Sequence, residues 1–118
     1  MLQILKYNSF KIAKNIEVCR TLTSQMMGLM FRDHIPADYA MVFVMKKPAS
    51  LGIHMLFVRF PIDVIFLNEE KIIVALAHLK PWTGHKSMKN IKYIIETNPG
   101  AIEKYKLSIG GQMEFEGI

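Results

Sequence analysis

"IDVIFLNEEKIIVALAHL", residues 62–79, decides how this chain folds. Two runs rich in β-branched and aliphatic residues flank Asn68-Glu69-Glu70, a tight polar turn, and that pattern specifies an antiparallel hairpin. Alternation in the first run puts Ile62, Val64 and Phe66 on one face and Asp63, Ile65 and Leu67 on the other. Both faces are apolar, so Asp63 is expected to point into, or to the rim of, a buried surface. A lone buried carboxylate is prohibitively costly, so it must be paired or hydrogen-bonded. Pro61 cannot donate to a ladder, so the strand begins at or after it.

The segment just upstream, "IHMLFVRF" at 53–60, adds His54 and Arg59 near that proline turn. The partners in view for Asp63 are Arg59, Arg32 and His54. The favoured reading is a structural brace, with Asp63 accepting backbone N–H groups or an arginine fork. The alternative is a pocket in which an arginine orients an anionic ligand.

Working outward, "LQILKY" and "FKIAK" read as short strands joined at Asn8-Ser9, and "IEVCR" alternates as a half-buried strand does. "AMVFVM" and "LGIHMLFV" read as two strands separated by the polar loop "KKPAS". "IKYIIET" is a further strand, and a last one follows Gly110-Gly111. Two helices are expected. In "TLTSQMMGLMFRDHI", Leu22, Met26, Leu29 and Met30 share a face despite Gly28; in "NPGAIEKYKL", Asn98 is a candidate cap and Pro99 the first helical residue. The expectation is an α+β fold, predominantly antiparallel, with a strongly curled sheet or small β-barrel and two short helices. Residues 1–118 would form one domain.

Composition narrows the class. Apolar residues make up 51% and charged ones 21%, as expected of a globular chain long enough to bury one core without staples. A single cysteine, Cys19, excludes an internal disulfide or a multi-cysteine zinc site within one chain, and fits a reducing cytosol. The start shows no signal-peptide pattern, and "KIIVALAHL" falls well short of the roughly 20 residues of a membrane helix. A cytoplasmic location without membrane association is expected. The formal charge of +5 permits attraction to an anionic partner without specifying one.

Several segments carry a resemblance, in this order: "GLMFR" at 28–32, "AMVFVM" at 40–45, "HMLFVRFPIDVIFL" at 54–67, "ETNPGAIEKYKL" at 96–107 and "GG" at 110–111. From about Ile16 onward the chain resembles the domain of unknown function 192 family of bacteria and archaea. That resemblance implies a compact, strand-rich single domain and no particular activity. The family pattern typically carries an aromatic where this chain has His54.

Candidate chemistry is sparse. Glu96 closes the strand before "TNPG", where it would brace the following helix start. Converged with Asp63 it would make a hydrolase-like pair of carboxylates. The four histidines, 34, 54, 78 and 85, never fall at i,i+4 or as HxH, so a metal set would need tertiary gathering. The methionines read as core filler. "KPWTGHKSMKNIKY", 80–93, interleaves lysines with Trp82, His85 and Tyr93 and lacks acids, a loop of the kind that binds single-stranded nucleic acid. No Walker or Rossmann glycine loop and no nucleophile elbow is present. The sequence therefore describes a domain of unknown function, more readily a ligand- or partner-binding accessory domain than an enzyme. Arg32, His54, Arg59, Asp63, Trp82 and Glu96 would line its site, with no cofactor implied and an unknown small molecule or protein as partner. Nucleic-acid association through 80–93 and hydrolysis by Asp63 and Glu96 are the alternatives.

Overall fold

A computed structural model describes residues 5–7, 10–20, 32–55 and 57–115. The hairpin is where the sequence puts it: β5 is Ile62–Leu67 and β6 is Ile73–Leu79, paired antiparallel. Asn68 shapes the turn, its side-chain Oδ1 accepting the N–H groups of Glu70 and Ile72 at 3.0 Å. Every residue of β5 is buried, because β6 and β7 (His85–Thr97) flank it in the sheet and both its faces are covered. That explains an uninterrupted apolar run where a half-exposed strand would alternate.

The remaining strands are β1 (Leu5–Tyr7), β2 (Phe10–Ala13), β3 (Asn15–Cys19), β4 (Tyr39–His54) and β8 (Met113–Glu114). They form a five-stranded sheet in the order β3-β4-β7-β5-β6 and a three-stranded sheet in the order β2-β1-β8. One core, containing Leu5, Tyr7, Val42, Ile65, Ile95 and Met113, lies where the small sheet meets one face of the large one. A second, containing Met41, Phe43, Val64, Phe66 and Ile94, packs the other face against Ile35, Met55 and Val58.

The expected curled sheet or barrel is not what forms. The two sheets are open: β3 and β6 are the edges of the larger one and do not pair with each other. The large sheet is also mixed, since β3 runs parallel to β4 in register Asn15–Tyr39 to Cys19–Phe43. A parallel pair needs a long crossover, here residues 20–38, and that connection returns β4 to the same end of the sheet as β3. The expected helix at 21–35 falls mostly outside the described residues, as does the Asn8-Ser9 turn. Among the described residues the one helix is α1, Ala101–Lys104. It starts later than Asn98 and Pro99 suggest, because Gly100 takes the cap position at φ 102°, a left-handed conformation suited to glycine.

Two segments expected to be loops are strand. β4 continues through "KKPAS" as one 16-residue strand. The irregularity falls instead between Val44 and Leu51, where the register with β7 shifts. Pro48 sits exposed in that bulge, a position that tolerates its missing N–H, and the Lys92 ammonium donates to the Met45 and Lys46 carbonyls there. Likewise only residues 80–84 of the basic stretch are loop. From His85 onward they form β7, and its first half pairs with β4 as a two-stranded extension of the sheet. No helix among the described residues is long and apolar enough to cross a membrane.

Candidate functional site

The register separates the two buried carboxylates. Asp63 lies opposite Thr97, whereas Glu96 lies opposite Val64 and Met41. Successive residues of a strand face opposite ways, so Asp63 and Glu96 occupy opposite faces of the sheet. They share no cleft, and the carboxylate pair that hydrolysis would need does not form.

Asp63 sits on the face that α1 covers. Its Oδ2 accepts the N–H groups of Gly100 and Ile102, both at 3.0 Å, and its Oδ1 lies 2.9 Å from His78 Nδ1. The carboxylate thus meets N–H groups that a helix start leaves without intrahelical partners, a cap supplied from a distant strand. His78, opposite Asp63 on β6, is the partner that sequence reasoning missed. Its signal was position within the hairpin: counting back from the 68–71 turn places His78 across from Asp63.

Neither expected arginine reaches Asp63. Arg59 pairs with Asp33 at 2.7 Å on the exposed surface. Arg32 grips Glu17 with N–O distances of 3.1 and 2.9 Å, and the Tyr39 hydroxyl donates to Glu17 at 2.9 Å while accepting from Arg32. Burial raises the Glu17 pKa, but the Arg32 and Tyr39 hydrogen bonds outweigh it and hold the carboxyl below its ordinary range. Burial, reinforced by the Glu17 hydrogen bond, pushes the Tyr39 phenol well above its own.

Glu96 does not brace the helix; Asp63 does. Glu17, Met41, Glu96 and Val64 form one row on one face of the sheet, which puts the two glutamates two strand spacings, about 10 Å, apart. Burial pushes the Glu96 pKa up to about 8.

His54 and Trp82 come together elsewhere, at the end of the β4–β7 extension. Trp82 is 48% exposed and meets Phe57, itself 43% exposed, edge to face at a centroid distance of 5.4 Å. Both residues hold left-handed backbone, φ 66° and 61°, which costs non-glycine residues on the order of 1–2 kcal/mol each. Hydrogen bonds fix them there: the Trp82 and Val58 N–H groups donate to the Met55 carbonyl, Met55 to Gly84 and Gly84 to Lys80. The stretches 53–60 and 80–93 contain no acidic residue, and the exposed Lys80 and Arg59 stand two residues from Trp82 and Phe57 in the chain. Separately, a cleft of about 490 Å³ opens between β4 and α1, lined by Tyr39, Thr97, Gly100, Lys104 and Tyr105 among others. Among the described residues no group of three or more histidine, cysteine or acidic side chains gathers to hold a metal.

Comparison with known proteins gives lineage without activity. The chain is 33% identical to a UPF0127 protein of Pyrococcus furiosus, covering 98% of this chain and 97% of that one. It is likewise 33% identical to a UPF0127 protein of Thermococcus sibiricus, over 86% of this chain and 66% of the relative. A solved structure of a protein of unknown function from Novosphingobium aromaticivorans superposes with a TM-score of 0.84 at 21% identity, covering 97% of this chain and 84% of that one, which shows a shared fold. The profile of the DUF192 family, described as Uncharacterized ACR, matches residues 5–115, further toward the N-terminus than the sequence resemblance. The chain belongs to the DUF192 family.

Proposed function

We propose that this chain is a non-catalytic binding domain whose ligand surface is the Phe57–Trp82 corner, and that its ligand is a ring-bearing small-molecule anion. One observation carries the reading: two large aromatic side chains are held in solvent on left-handed backbone that a hydrogen-bonded loop pair enforces. Backbone strain maintained to expose apolar rings is characteristic of recognition surfaces. The two stretches that build the corner carry basic residues and no acid of their own, which favours an anion, although Asp33 holds Arg59, and the ring faces favour stacking. Of the residues first expected to line one site, this reading keeps His54, Arg59 and Trp82. Arg32, Asp63 and Glu96 serve the fold elsewhere. The reading places the protein in the cytoplasm as a single domain, its lone Cys19 thiol buried.

Trp82 is the chain's one tryptophan, so its emission reports directly on this corner. Nucleoside monophosphates and aromatic carboxylates, titrated beside their uncharged analogues, are expected to change that emission saturably. Phe57→Ala should weaken binding at least ~10-fold, about 1.4 kcal/mol, the scale of one lost aromatic contact. No response from any anion up to millimolar concentration, or unchanged affinity in Phe57→Ala, refutes the reading.

A second reading, single-stranded nucleic acid, is favoured by Lys80, exposed two residues before Trp82, and by the further lysines along the first half of β7. It predicts affinity for oligothymidylate that falls steeply with salt and drops in the double variant Lys86→Ala, Lys89→Ala. Salt-insensitive or absent binding dismisses it. Lys92 contributes little there, since its ammonium is held by the Met45 and Lys46 carbonyls.

A further inference from the structure

We propose that His54 and His85 form a cross-strand bis-imidazole site for a borderline divalent cation of the Cu²⁺, Ni²⁺ or Zn²⁺ type. The two histidines are 31 positions apart in sequence, and no local motif joins them. The β4–β7 register places them directly opposite one another. The kind of pairing matters. The Met55 N–H donates to the Gly84 carbonyl at 3.0 Å, and those two residues are the next opposed pair beyond the histidines. Hydrogen-bonded and non-hydrogen-bonded pairs alternate along an antiparallel ladder, so His54–His85 is of the non-hydrogen-bonded kind. Its Cα atoms lie about 4.5 Å apart, the closer of the two spacings.

Opposed side chains share a face. Both imidazoles therefore leave the same side of the ribbon, and both residues are exposed. Metal–nitrogen bonds of about 2.0–2.1 Å let two such rings chelate one ion. The neighbours suit this. Ile53 and Lys86 form the adjacent pair and point to the opposite face, so the Lys86 ammonium does not share the ion's side. The next pair on the histidines' own face is Gly52–Ser87. A Cβ at Gly52 would come within 2.9 Å of Ser87 Oγ, so glycine leaves that hydroxyl in place two residues from His85. Remaining coordination positions fall to water, leaving an open site. Imidazole is a preferred ligand of these cations.

This inference does not depend on the ring-anion reading, and the test keeps them apart. The chain, free of any affinity tag, is titrated with NiCl₂ and CuCl₂ alone while Trp82 emission is followed, and with ZnCl₂ by calorimetry. Trp82 lies three residues before His85, within range of quenching by a bound paramagnetic ion. One-to-one saturable binding is expected, with His54→Ala and His85→Ala each weakening it at least ~10-fold and His34→Ala leaving it unchanged. Phe57→Ala should retain the metal while losing the anion. Absence of saturable binding below millimolar metal overturns the proposal, as does equal binding by the His54→Ala, His85→Ala double variant. Thermal melts of each variant without metal establish that a loss of binding is not a loss of fold.

Discussion

Replacing Asp63 with alanine should destabilise the protein more than its single carboxylate suggests. Its Oδ2 serves two backbone N–H groups at the start of α1, Gly100 and Ile102, each at 3.0 Å. A hydrogen bond to a charged group contributes about 1.5–3 kcal/mol, and a donor stranded away from water costs about 1–3. α1 lies at the surface, where water partly replaces the lost acceptor, so the two bonds together should amount to about 2–4 kcal/mol. The contact with His78 adds less than about 1 kcal/mol, because the histidine side chain is more than half exposed and screened. At this chain length a loss of 2–4 kcal/mol lowers Tm by on the order of 10 °C. Asp63→Asn keeps one acceptor oxygen and should fall roughly midway. Urea denaturation measures the change as a shift in midpoint at constant slope, and amide exchange at Gly100 and Ile102 should accelerate selectively. An Asp63→Ala protein within about 0.5 kcal/mol of the parent, with those amides still protected, refutes the capping argument.

Glu96 gives a prediction in pH. Its folded pKa is raised to about 8 by burial, above the ordinary carboxylate value, so the native state binds the proton more tightly than the unfolded chain does. The resulting stability is complete below the unfolded pKa and is lost as pH rises through about 8, a change on the order of 5 kcal/mol. Glu96→Gln should flatten that decline between pH 5 and 9 in urea midpoints; an unchanged slope assigns the decline to other groups. Trp82→Gly should stay within about 1 kcal/mol of the parent, since relief of the φ 66° backbone offsets the lost Phe57 contact. A loss of several kcal/mol would show that the indole serves the core. Finally, the Tyr39 phenol, held up by burial and by Glu17, should ionise at higher pH than an ordinary tyrosine in ultraviolet titration. Glu17→Gln should bring it down.

The 62–79 hairpin was legible because its information is local: residue alternation, a turn residue and chain direction all lie within one window. The same locality placed Asp63 on a buried face and required it to be hydrogen-bonded. What satisfies it was not legible, since Gly100 and Ile102 come from the far end of the chain and are joined to Asp63 only by β5 packing beneath α1. Arg32 and Arg59 were reasonable partners by sequence, but both lie between strands, where they pair with Glu17 and Asp33. Barrel closure also failed for a non-local reason. Strand propensity says which residues extend, while the parallel β3–β4 pairing that leaves the sheet mixed and open depends on where the 20–38 crossover returns.

By itself, then, the sequence determined a strand-rich fold, a buried Asp63 and the family relationship, because periodicity and motif order are properties of the chain. Only the tertiary structure decided that Asp63 and Glu96 face apart, that Trp82 meets Phe57, and that His54 lies opposite His85. Each of those outcomes depends on strand register, and a shift of one residue in any ladder would reverse it.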